Sequence, residues 1–209
     1  MVILCCKPYF VYAHHGYARV CLAEYSQEEF GNNSKPLQMV IHQPNLNVQK
    51  RHPNFDQLKE ETTISIPKLK ESLISEGRVN SDAHFKEAVV DRMNEAMRLC
   101  FLAVKGKLDR RFGCYEIFAV DFVLERESLQ PRLIDFTSNP SYSTEMEGNS
   151  AVIYNLLRDA TTMASDLHEF GNKFATPQRL KKVFRCTTMN YEVLYRAWYD
   201  DYLNDLFFR

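Results

Sequence analysis

One stretch, FAVDFVLERESLQPRLIDFTSNPS (residues 118–141), constrains the fold more than any other part of the chain. Apolar and polar residues alternate on both sides of a polar ERESLQ centre, the pattern of two antiparallel strands joined by a turn. With the turn centred on Ser128, Phe122 faces Ile134 and Val120 faces Phe136, so one side of the ribbon is continuously apolar and suited to burial. The other side carries Ala119, Asp121, Asp135 and Thr137, with Asp121 directly opposite Asp135. A slip of one residue would set apolar against polar along the whole ribbon.

Like charges opposed in a sheet destabilise it, and more so as water is excluded. Three arrangements offset this. One carboxyl could stay protonated as in an acid/base dyad. A divalent cation could sit between them, Mg²⁺ preferring one or two carboxylates plus phosphate and water oxygens. A solvated face would make the repulsion weak. Spacing alone leaves all three open, although nothing nearby resembles the nucleophile or sugar platform that a hydrolase would add.

The rest of the chain defines the setting. Its 209 residues, 45% hydrophobic, are enough for one large domain or two small ones with a core. With 26 basic and 27 acidic residues the net charge is -1, which argues against a whole-molecule attraction to nucleic acid or an anionic membrane. The apolar opening MVILCC is broken by Lys7 and Pro8, too soon for a signal sequence or a membrane span, and reads as a buried strand. Six cysteines are scattered, only Cys5 and Cys6 being close, which suits neither a redox CxxC nor a zinc site. They read as free thiols of a reducing compartment.

Strands are expected at 2–6, 9–13, 17–22 and 37–42, with His14-His15 as turn residues, and an irregular, mobile connection over 45–62. A short helix starts near Pro67. A long one is capped by Ser81 or Asp82 and buries Phe85, Ala88, Val89, Met93, Ala96, Leu99, Cys100 and Ala103. Another runs over 149–170 with Val152, Leu156, Ala160, Met163 and Leu167 on one side, ended by Gly171. The last forty residues read as helical, Thr176-Pro177 opening one helix and Asn190 capping a final one, whose stripe Tyr191, Leu194, Tyr195, Trp198, Tyr202 and Leu206 reads as core. Of two basic runs, Lys105 to Arg111 and Arg179, Lys181, Lys182 and Arg185, the second is the candidate patch for an acidic partner. The order of elements gives an α+β class with a mainly antiparallel sheet flanked by helices.

FAVDFVLE followed by LQPRLIDFTSNPS resembles the closing segment of the tubulin tyrosine ligase family, F-G-x-D-F-x-L-D, a turn, then W-L-I-E-V-N-x-S-P-S. Its AVD, QPxL and NP details are most similar to a divergent branch, the twelfth ligase-like member. HQPNLNVQK (42–50) is similar to the family's H-L-T-N-x-x-I-Q-K at His42, Asn45, Gln49 and Lys50, and the opening follows the family's strand, turn, strand, G-x-x-R pattern. The resemblance implies an ATP-grasp ligase, which phosphorylates a carboxylate with ATP and lets an amine displace the phosphate to form an amide. Its acceptor would be the tubulin tail or another acidic-tailed protein, and its location cytoplasmic and microtubule-associated. Asp121 and Asp135 match the family's acidic Mg²⁺ ligands. Thr137 stands where the family has asparagine, and Asn139 would share its face if the strand continued. His42, Asn45, Gln49 and Lys50 match a nucleotide or substrate loop. The family's phosphate-contacting lysines and adenine pocket precede the matching region. The chain is therefore expected to hold the C-terminal part of the domain at 1–170, with a helical extension at 171–209. A non-catalytic, ligase-derived binding module is the alternative.

Overall fold

The structure, a computed structural model, describes residues 2–5, 9–23, 46–108, 114–140, 147–170 and 191–196. Helices and antiparallel strands alternate in an α+β arrangement, as the order of sequence patterns predicts. The chain divides into two compact units.

The first unit comprises 1–15, 77–142 and 155–209. It is built on a five-stranded antiparallel sheet in the order β6-β5-β1-β2-β7, with β1 at Val2–Cys5, β2 at Tyr9–His14, β5 at Cys114–Leu124, β6 at Pro131–Ser138 and β7 at Tyr191–Arg196. Residues Tyr9 to Ala13 of β2 are all buried, as an apolar run in a central strand requires. Tyr9, Val11 and Ala13 pack with Met97 and Phe101, and the Tyr9 and Phe101 rings meet edge to face at 5.6 Å. Against this core lie Phe118, Val120, Phe122 and Phe136, the apolar side of the hairpin.

The helix supplying Met97 and Phe101 begins where Ser81 accepts a hydrogen bond from the His84 amide at 3.2 Å. It is interrupted. After Asp82–Phe85 comes a five-residue π turn, Lys86–Val90, and then Asp91–Val104. The extra residue of such a turn advances the inward face by one position. Phe85 and Val89 are buried as expected, but past the turn Met97 and Phe101 are buried, while Leu99 is 52% exposed and Ala103 is exposed.

The end of the chain also departs from its expected helix. Tyr191–Arg196 is not the start of a helix but strand β7, paired antiparallel with β2. Tyr191, Leu194 and Tyr195 have helical spacing, yet the open edge of β2 supplies the hydrogen bonds that decide the local conformation. Trp198, Tyr202, Leu206 and the Thr176-Pro177 helix lie outside the described residues.

The second unit comprises 16–76 and 143–154. There β3, Tyr17–Arg19, pairs with β4, Thr63–Ser65. The helix Ile66–Ser75 follows, capped by Ser65 and carrying Pro67 in its first turn as predicted. Gly77, with φ of 70°, adopts the left-handed conformation that ends it. The irregular connection expected over 45–62 is instead a chain of short turns: α-helical at Leu46–Gln49 and Phe55–Leu58, then 3₁₀ at Lys59–Glu61. Buried Phe55 and Thr62 anchor it. The helix Glu147–Phe170 matches its expected span; its residues 147–154, with Ile153 buried, belong to this unit, and those from 155 onward, with Ala160 and Met163 buried, belong to the first. The strand expected at 37–42 lies outside the described residues.

Among the described residues no helix is long and apolar enough to cross a membrane.

Candidate functional site

The hairpin of β5 and β6 places Asp121 and Asp135 as direct partners, and Ala119 opposite Thr137. Because Val120 and Phe136, their chain neighbours, face the core, both carboxylates project to the opposite side of the ribbon. There Asp121, Asp135 and Thr137 are exposed. The Thr137 hydroxyl donates to Asp135 Oδ2 at 3.5 Å, and Asp135 Oδ1 accepts from the Phe136 amide at 2.8 Å. Two carboxylates and a hydroxyl oxygen therefore share one open face.

The register holds only as far as this pair. Beyond it Phe122 is opposite Leu133, not Ile134 as alternation predicts, because the ladder slips by one residue between Asp121 and Phe122. Ile134 is the extra residue on β6 and is 60% exposed. A bulge of this kind bends its strand and re-aims the neighbouring side chains, and here the neighbour is Asp135.

The turn is fixed from within. The Glu125 amide donates to Gln130 O at 3.0 Å and the Leu129 amide to Glu125 O at 3.0 Å. The Glu125 carboxylate accepts from Ser128 Oγ at 2.5 Å and from Arg132 Nε at 2.7 Å, and these bonds hold its pKa below the usual carboxylate value. Leu129 has a φ of 54°, a conformation costly for a residue with a Cβ, and it is buried. Sequence reading missed this leucine. A turn position that would favour glycine gives no sign when burial selects another residue.

At the far end β6 stops at Ser138, and Asn139 has a φ of 53°. Strand alternation therefore does not carry Asn139 onto the face of Thr137, as a continuing strand would.

Of the second motif, Gln49 and Lys50 are described, while His42 and Asn45 lie outside the described residues. Gln49 is 4% exposed, its Oε1 accepting from the Leu22 amide at 3.0 Å and its Nε2 donating to Val20 O at 2.8 Å. It braces the backbone that leaves β3, and Val20 is held again by its amide donating to Thr62 O at 2.9 Å. Lys50, the next residue, is exposed. Arg179, Lys181, Lys182 and Arg185 lie outside the described residues.

His14 and His15, read as turn residues, are instead half-buried at the end of β2. Burial first, then the neighbouring His15, pushes the His14 imidazole down to about 4, partly opposed by Asp159. Asp159 is 6% exposed and is held by its neighbour Arg158 at 2.8 Å. Among the described residues no three His, Cys, Asp or Glu side chains converge as a metal site. A cation at the carboxylate pair would thus complete its shell with Thr137, water and ligand oxygens, and these hard donors on an open face fit Mg²⁺.

A sequence profile described as the tubulin-tyrosine ligase family matches residues 1–170, a span that includes the opposed carboxylates. The chain belongs to the tubulin-tyrosine ligase family. Within this family it is 30% identical over 168 residues to a mouse protein, "Protein polyglycylase TTLL10", covering 78% of this chain and 23% of that protein. A macaque protein of the same name is 27% identical over 167 residues, covering 78% and 26%. A human relative, "Inactive polyglycylase TTLL10", is 31% identical over 163 residues, covering 73% and 22%. The chain spans about a quarter of the length of these tubulin-tyrosine ligase relatives.

Proposed function

We propose that the β5–β6 hairpin is the cation-holding edge of an ATP-dependent carboxylate–amine ligase that extends a protein carboxylate with an amino acid. The observation carrying this reading is the direct opposition of Asp121 and Asp135 on an exposed face, with the Thr137 hydroxyl beside Asp135, in a chain of this family. Asp121 and Asp135 hold Mg²⁺ and Thr137 adds a third oxygen; Asn139 is the remaining candidate donor. Bound Mg²⁺ supplies neutralisation of the ATP phosphates. His42, Asn45 and Lys50 form the nucleotide or substrate loop, with Gln49 as its internal brace.

The acceptor in this reading is a tubulin tail or another acidic-tailed protein, met by Arg179, Lys181, Lys182 and Arg185, which implies a cytoplasmic, microtubule-associated protein. Residues 1–170 act as the C-terminal part of an ATP-grasp domain and 171–209 as an extension. Two branches of the family compete for the assignment. Identity over 163–168 residues to proteins named polyglycylase favours that branch, and glycine as the added residue, over the short AVD, QPxL and NP likeness to the twelfth member.

A second reading, a ligase-derived module without catalysis, is favoured by the word "inactive" in the human relative's name and by Thr137 standing where the family pattern has asparagine. Calorimetry with Mg²⁺-ATP on the wild type and on Asp135→Asn separates the two. The ligase reading expects heat in the wild type and its loss in the variant. Identical heats would remove the metal assignment, and tubulin binding without any nucleotide heat would favour the module.

A further inference from the structure

Cys5 is the last residue of β1, and the register sets it directly opposite Cys114, the first residue of β5. Directly opposed residues of an antiparallel pair have Cα atoms about 4.5 or 5.5 Å apart, depending on the hydrogen-bonding class of the pair. Both values lie within the roughly 4.4–6.8 Å that a disulfide spans. Cys114 is a free, exposed thiol, open to a soluble oxidant.

The position of this pair gives it leverage. Strand β5 pairs with β1 only over Cys114 to Ile117 and with β6 only from Phe118 onward. Four residue pairs with β1 therefore form the whole backbone ladder that joins the carboxylate hairpin to the rest of the described sheet, and the two cysteines form the pair at its outer end.

We infer that Cys5 and Cys114 form a redox-reversible cross-strand disulfide that staples this hairpin to β1. With a low-molecular-weight disulfide such as glutathione disulfide as oxidant, the Cys114 thiolate attacks one glutathione sulfur and expels the other as a thiolate. The Cys5 thiolate then attacks the Cys114 sulfur of the mixed disulfide and releases the second glutathione. One Sγ–Sγ bond forms, the glutathione S–S bond is broken, two electrons pass to glutathione, and the two thiol protons end on the glutathione thiols. With Cys114 exposed, a reducing thiol reaches the link from that side and opens it again.

The test equilibrates the full chain in glutathione buffers from reducing to oxidising, quenches with acid, alkylates the remaining thiols and maps the digest without reduction. The expected result is a peptide pair joining Cys5 to Cys114 in at least about half of the molecules at the oxidising end, removed by dithiothreitol. It should persist in Cys21→Ser and Cys100→Ser and vanish in Cys114→Ser. Glutathione on Cys114 with no cross-link, or a link from Cys114 to Cys6 instead, would overturn the inference.

Discussion

Asp121 and Asp135 form the last in-register pair before the ladder between β5 and β6 slips by one residue. The slip isolates Ile134, so the two carboxylates stand beside a bend in β6. Position and bend together have measurable consequences.

Asp121→Asn removes one of two opposed like charges on a solvated face. Without metal the variant should be as stable as the wild type or more stable by up to about 0.5 kcal/mol. Added Mg²⁺-ATP should raise the melting temperature of the wild type and leave that of the variant unchanged, as read by differential scanning fluorimetry.

Leu129 combines a left-handed backbone with a buried side chain. Leu129→Ala keeps the backbone penalty and loses the burial, so it should cost about 2–4 kcal/mol in urea unfolding. Leu129→Gly also loses the burial but relieves the backbone, and should cost less than alanine. The reverse order would show that φ at this position is unimportant.

Gln49→Leu leaves the Leu22 amide and the Val20 carbonyl without their side-chain partner. The expected loss is about 2–3 kcal/mol, with faster hydrogen exchange at the Leu22 amide. Unchanged exchange there would mean the brace does not hold this segment.

The His14 imidazole, lowered by burial, binds its proton later than the same residue in the unfolded chain. Above pH 6.5 it is neutral in both states and its stabilising effect is complete. As pH falls from 6.5 toward 4 the unfolded chain takes up the proton first, so stability declines across that window. Urea midpoints at pH 7.5, 5.5 and 4.5 should fall less steeply for His14→Gln than for the wild type.

Much of the sheet was legible because its residues repeat with period two against one core. Val120 and Phe136 fix the side on which Asp121 and Asp135 emerge, and no other local pattern competes. The bulge was not legible, since PRLIDFTS alternates acceptably with or without a slip at Ile134. The π turn escaped for a related reason: an apolar stripe carried forward from Phe85 and Val89 at regular spacing reaches Leu99 and Cys100, and only the lost register brings Met97 and Phe101 inward. YEVLYR satisfies both helical and strand spacing, so a distant partner, β2, decides it. Cys5 and Cys114 become register partners only through the topology. In the second motif His42, Asn45, Gln49 and Lys50 read alike as loop residues, and the internal role of Gln49 depends on the backbone at Val20 and Leu22.

The five-residue turn Lys86–Val90 also says how this chain tolerates change in length. Deleting a single residue there would restore a regular helix and leave everything beyond on its present face, with Met97 and Phe101 still toward the sheet and Leu99 outward, because the wide turn absorbs the residue that is removed. Phe85 and Phe101 would both stay on the inward face after that loss, whereas removing a residue between Val90 and Met97 would swing Met97 and Phe101 away by about 100°, so this helix bears the loss of one codon at the wide turn better than just beyond it.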